Sequence, residues 1–157
     1  MPSSLDKPAA QNWGTVLAFA VGICYFSVFS TPDTGVSSLG PLGLVGTDKW
    51  YHAIGYGVLA TLLAIALSGR VDESNRPGEA NRANESNRTN WATSAIAVAL
   101  VAIAGATGFG ILIEIAQTFV PVRHGGIGDA TANAFGATVA VTIRFLVARR
   151  DEGDLRS

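Results

Sequence analysis

The sequence predicts an all-α fold, an integral membrane bundle of four transmembrane helices, and three observations carry that prediction. Four long runs are nearly free of charge in a chain of 157 residues of which only 15% are charged. Mean hydropathy is +0.33 and almost half of the residues are apolar, high for a chain of one domain's length. The cations gather at the ends of alternate runs, the pattern of a multi-pass protein. The expected membrane domain covers 13–148, with spans at about 13–29, 50–67, 92–113 and 130–148. A polar tail, 1–12, precedes it, and a solvated tail, 149–157, follows.

The first run, WGTVLAFAVGICYFSVF, holds 17 residues without charge from Trp13 to Phe29. A helix of that length covers roughly 25 Å, slightly short of the ~30 Å hydrocarbon core. The run also suits a signal peptide's apolar core. A single cation beside an acid precedes it and further spans follow, which favours an uncleaved first span. Gly14, Ala18 and Gly22 lie four apart, a small-residue stripe on which another helix can pack closely. Cys24 is the only cysteine, so no internal disulfide or cysteine-based zinc site is available, and it reads as a small hydrophobe. Ile23 before it is not the small residue that a lipoprotein cleavage site prefers.

Glycines and prolines break the chain from Ser30 to Gly46, with a turn expected at TPDTG and Asp33 exposed. Thr47 is the expected N-cap of the second helix, with Asp48 at its positive end and Trp50 and Tyr51 in an interfacial belt. After Ser68 the low-complexity tract 69–90 repeats Glu-Ser/Ala-Asn-Arg with a period of six and reads as a solvated linker. Asn84-Glu85-Ser86 and Asn87-Arg88-Thr89 match the glycosylation acceptor pattern. From Trp91 a straight helix reaches Glu114 after roughly 34 Å, which puts that acid at the far interface. Gly105, Gly108 and Gly110 either bend this helix or admit a neighbour. Arg144 near the end of the fourth run can snorkel outward with Arg149 and Arg150.

With four spans, both termini and the 69–90 loop share one side. That side holds nine cations, Arg144 included, against Lys49 and Arg123 opposite. The positive-inside rule therefore predicts a cell-membrane protein with both termini cytoplasmic and silent acceptor sites. It also brings Asp48, Lys49, His52, Glu114, Gln117, Asp129 and Asn133 to one depth in the outer leaflet. Asp48/His52, His52/Tyr56 and Asp129/Asn133 are spaced i,i+4 and Glu114/Gln117 i,i+3, each pair on a common helical face. Such groups at membrane depth usually face a bundle interior. Glu114 pairs with Arg123, or Asp129 takes that arginine instead; Asn133 is expected to turn toward Glu114 or Gln117. The plainer alternative is that Asp48 and Asp129 only cap helices and that Lys49 and Trp50 only anchor the headgroup layer.

These residues together resemble the VanZ-like family of membrane proteins. Asp48-Lys49-x-x-His52 with Tyr56, Glu114-x-x-Gln117 followed by Pro121 and Arg123, and Asp129-x-x-x-Asn133-x-x-Gly136 are similar to that family's three spaced motifs. The resemblance covers roughly 45–147, and the combined spacing is more specific than any one piece. HGGIG between Arg123 and Asp129 departs from the bulkier, hydroxyl-containing loop typical of the family. The resemblance implies a small helical membrane protein associated, through the family's namesake, with teicoplanin resistance and the cell envelope. It supplies no established reaction.

Two functions fit this reading. One is a non-enzymatic envelope protein whose outward cluster binds a polar lipid, glycolipid or glycopeptide-like ligand through Asp48, Lys49, His52, Tyr56, Glu114, Gln117, Arg123, Asp129 and Asn133, with Lys49 and Arg123 meeting phosphate or carboxylate. The other is a membrane-embedded enzyme on a lipid-linked substrate. There His52 or Glu114 is general base, Asp129 a metal-binding or orienting carboxylate, and Arg123 a clamp on developing charge. No nucleophile or metal spacing stands out, and His52 and His124 lie far apart, so neither a metal nor another cofactor is expected. A transporter lacks mid-membrane charge to mark a pathway. The net charge of −1 gives no reason for a nucleic-acid partner, whereas membrane lipids are expected partners. The small-residue stripes Gly14/Ala18/Gly22 and Gly136/Ala140 pack either within one chain or between two in a homo-oligomer.

Overall fold

The computed structural model describes residues 7–29, 39–40, 43, 45–74, 84–120 and 126–154. Four helices make up nearly all of it: α1 (Lys7–Phe29), α2 (Thr47–Ser74), α3 (Asn84–Gln117) and α4 (Ile127–Asp154). Each contains a stretch long and apolar enough to cross a membrane, at Gln11–Phe29, Thr47–Gly69, Ser94–Gln117 and Ile127–Arg150. The chain has the build of a multi-pass membrane protein, an all-α four-helix bundle.

The helices outrun the apolar segments at several ends. Residues 7–12, expected as a tail, open α1, and 151–154 of the other expected tail extend α4. The linker 69–90 is helical at 69–74 and again at 84–90. Hydropathy sets how much helix a bilayer can cover, but adding polar residues to a formed helix costs little, because each brings its own backbone hydrogen bond. The repeats at 75–83, the TPDTG turn with Asp33, and the tails 1–6 and 155–157 lie outside the described residues.

The packing is inside-out relative to a soluble protein. Ala60, Ala64, Ala102, Ala106 and Ala137 are buried, whereas Leu17, Leu100, Leu112 and Phe135 are more than half exposed. Lipid solvates large apolar side chains as well as protein does, so helices gain most where small residues let their backbones approach. The α2–α4 crossing is the extreme case. A Cβ built on Gly136 would fall 1.9 Å from the Ala53 carbonyl oxygen, and one on Gly57 would fall 3.0 Å from that of Gly136. The Gly136/Ala140 stripe is thus used within the chain. On α1, a Cβ at Gly14 or Gly22 would meet nothing within 4 Å.

Helix α2 is central, packing on all three others, whereas α1 touches α2 and, more sparsely, α3. Gly105 and Gly108 leave α3 unbroken, and only Gly110 of this trio admits neighbours within 3.4 Å. Between α1 and α2 the chain closes on itself: Gly40 N–H donates to the Val45 carbonyl (2.7 Å), Gly43 adopts φ 64°, and Leu39 bridges Gly46. This turn covers Trp50, whose ring leaves no space for a Cβ at Gly40. Trp50 is therefore half-buried beneath the turn, whereas Tyr51 is 73% exposed. Thr47 lies inside α2, and Gly46 supplies the capping carbonyl for Lys49 N–H (3.1 Å).

Candidate functional site

The polar residues of α2, α3 and α4 meet at one end of the bundle. Lys49 and His52 lie in the first two turns of α2, Glu114 and Gln117 in the last turn of α3, and Asp129 and Asn133 in the first two turns of α4. Glu114, Gln117 and Asn133 are all buried, Asn133 completely. Three long-range contacts tie these helix ends together.

The Lys49 ammonium bridges two carboxylates, donating to Asp48 Oδ2 at 2.6 Å and to Asp129 Oδ1 on α4. Its stem crosses Gly128, where a Cβ would press on Lys49 Cε at 3.1 Å. Lys49 is thus more than a headgroup anchor, and Asp129 does more than cap. Asp129 still stands in the first turn of α4, at the positive end of that helix, which Gly126 opens by offering its carbonyl to Asp129 and Ala130 N–H. Asp48 is exposed and reaches the cluster through Lys49.

His52 Nδ1 lies 3.0 Å from Asn133 Oδ1, so the hydrogen bond of Asn133 goes to α2, where its place in the sequence had suggested Glu114 or Gln117. With that oxygen as acceptor, Nδ1 is the donor. The neighbour that fixes Asn133 is Gly110: a Cβ there would fall 2.6 Å from Asn133 Nδ2 and 3.0 Å from Tyr56 Cε1. Tyr56 is buried and its ring lies parallel to that of His52, 6.2 Å between centroids and 2° between planes. Tyr56 therefore forms the floor of the site.

Glu114 Oε2 accepts the Gly126 N–H at 2.9 Å, which ties the end of α3 to the start of α4. Among the described residues no cation lies within salt-bridge distance of Glu114. Gln117 reaches a fourth helix, donating from Nε2 to the Ser27 carbonyl of α1 at 2.8 Å. The site is consequently built by four helices, not three. Ser27 and Gly126 were not legible as participants, because each contributes a backbone group. A helix C-terminus always has unpaired carbonyls, and Gln117 satisfies one of them. Arg123, expected as the clamp, lies with Pro121 and His124 outside the described residues.

Two properties of the cluster bear on chemistry. His52, Glu114 and Asp129 each present a donor atom, all within 4.8 Å of one another. Tyr56 OH, Glu114 Oε1 and Asn133 Nδ2 are buried without a hydrogen-bond partner among the described residues. Most buried polar atoms are paired, and an unpaired one costs about 1–3 kcal/mol, so unpaired groups on these three side chains suit a polar ligand. Compared with known protein families, curated proteins and solved structures, the chain matches none.

Proposed function

We propose that this chain is a VanZ-like multi-pass protein of the cell membrane, with both termini cytoplasmic, whose outer-leaflet polar cluster binds the headgroup of a cell-envelope lipid or glycopeptide-like ligand. The observation that carries this reading is the set of buried, unpartnered groups on Tyr56, Glu114 and Asn133, gathered where α2, α3 and α4 end. A ligand bearing both hydroxyl and anionic groups meets their needs. Its donors serve Glu114 Oε1, its acceptors serve Tyr56 OH and Asn133 Nδ2, and Lys49 and Arg123 attract its charge. Exposed aromatics of this end, Tyr25, Phe29, Tyr51 and Phe119, suit the headgroup layer in which such a ligand lies.

A second reading, a membrane-embedded enzyme acting on a lipid-linked substrate, draws on the proximity of His52, Glu114 and Asp129. An imidazole held by Asn133 beside two carboxylates is the group such an enzyme would use as general base. Mass spectrometry of lipids co-purifying with the wild type, Lys49→Ala and Arg123→Ala tests the binding reading. The wild type is expected to retain a lipid class that both variants lose; identical lipids in all three contradict it. Turnover of a lipid-linked substrate that disappears in Glu114→Gln and His52→Ala would establish the enzyme instead.

A further inference from the structure

The geometry points to a binding site for one divalent first-row transition-metal ion, ligated by His52, Glu114 and Asp129. One nitrogen and two carboxylate donors from three different helices lie within 4.8 Å of one another. Ligands about 2.1 Å from an ion stand about 3–4 Å apart, so metal uptake needs only a small contraction of this cluster.

Three independent features make the cluster a built site rather than a coincidence of acids. Glu114 is only 8% exposed, and one of its oxygens has no partner among the described residues. A buried carboxylate in that condition is stabilised by a cation or by taking up a proton. Second, Asn133, fully buried, holds His52 through Nδ1, and an outer partner of this kind fixes the ring orientation of a ligating histidine. Gly126 N–H orients the Glu114 carboxylate in the same manner, and Lys49 that of Asp129. Third, the Lys49 ammonium is shared between Asp48 and Asp129, and among the described residues no cation reaches Glu114. A divalent ion supplies the missing one.

Imidazole with carboxylates, and no thiolate, favours Mn²⁺, Fe²⁺ or Zn²⁺ over the all-oxygen preference of Ca²⁺ and Mg²⁺. Bound there, the ion also gives an otherwise acidic cluster affinity for a phosphate or carboxylate. The site stands on side-chain geometry alone and does not depend on which headgroup, if any, the protein binds.

The test uses Mn²⁺ and Zn²⁺ alone, with the full chain purified in detergent. The wild type is expected to bind about one equivalent, and His52→Ala, Glu114→Gln and Asp129→Asn to bind at least about tenfold more weakly while keeping wild-type helicity and a monodisperse profile. Pulsed electron paramagnetic resonance of the Mn²⁺-loaded wild type should show coupling to a histidine nitrogen that persists in His124→Ala. No uptake by the folded wild type overturns the proposal. Loss of the nitrogen coupling in His124→Ala, or unchanged affinity in the folded ligand variants, does so too.

Discussion

Lys49 and Asp129, eighty residues apart, form an ion pair that joins the first turn of α2 to the first turn of α4. Helix starts repel each other through their dipoles, and here the two positive ends are brought together with an acid, an ammonium and a second acid between them. The Asp129 side chain is 15% exposed and that of Lys49 32%, intermediate between a surface pair and a buried one. A double-mutant cycle with Lys49→Ala and Asp129→Asn, read by thermal unfolding in detergent, should give a coupling of about 1–3 kcal/mol. A coupling below about 0.3 kcal/mol would make it an ordinary surface contact.

Three glycines on α3 and α4 should respond very differently to the same added methyl group. Gly136→Ala puts a Cβ into the Ala53 backbone, which cannot swing aside, so α2 and α4 must separate. A loss of about 2–3 kcal/mol, or failure to yield a monodisperse protein, is expected. Gly110→Ala instead meets the movable Asn133 amide and the Tyr56 ring edge. It should leave the bundle folded but break the His52–Asn133 bond and weaken metal or headgroup binding about tenfold or more. Gly108→Ala, which meets nothing within 4 Å, is the control and should match the wild type in both measurements. Equal effects of all three would show that close approach is not what these glycines provide.

The proposed orientation is checked by single cysteines, Ser74→Cys and Ser86→Cys, each in a Cys24→Ala background. Membrane-impermeant reagent should leave both unlabelled in intact cells and label both after permeabilisation. Labelling in intact cells would turn the bundle over and move the polar cluster to the cytoplasmic leaflet.

The number and order of the spans were legible in the sequence because lipid imposes them. A helix that crosses hydrocarbon needs close to twenty residues without charge, and four such runs are visible by eye. The same physics brought the polar groups together: they cluster where apolar runs end, so Lys49, Glu114 and Asp129 could be assigned to one end of the bundle from their positions along the chain. Helix ends were less legible, because nothing in lipid solvation stops a helix once it has left the membrane, as residues 7–12 and 84–90 illustrate.

Only the tertiary structure decided who pairs with whom. Spacing along one helix shows which side chains share a face, but not which face of another helix they meet. Glu114, Asp129 and Asn133 each had several polar neighbours at the same depth. Among them Asn133 takes His52, Asp129 takes Lys49 and Glu114 takes the Gly126 backbone, because Gly110 and Gly136 let α2, α3 and α4 close together in one rotational setting. That close approach also brings His52, Glu114 and Asp129 within reach of a single ion, a juxtaposition that no spacing in the chain encodes.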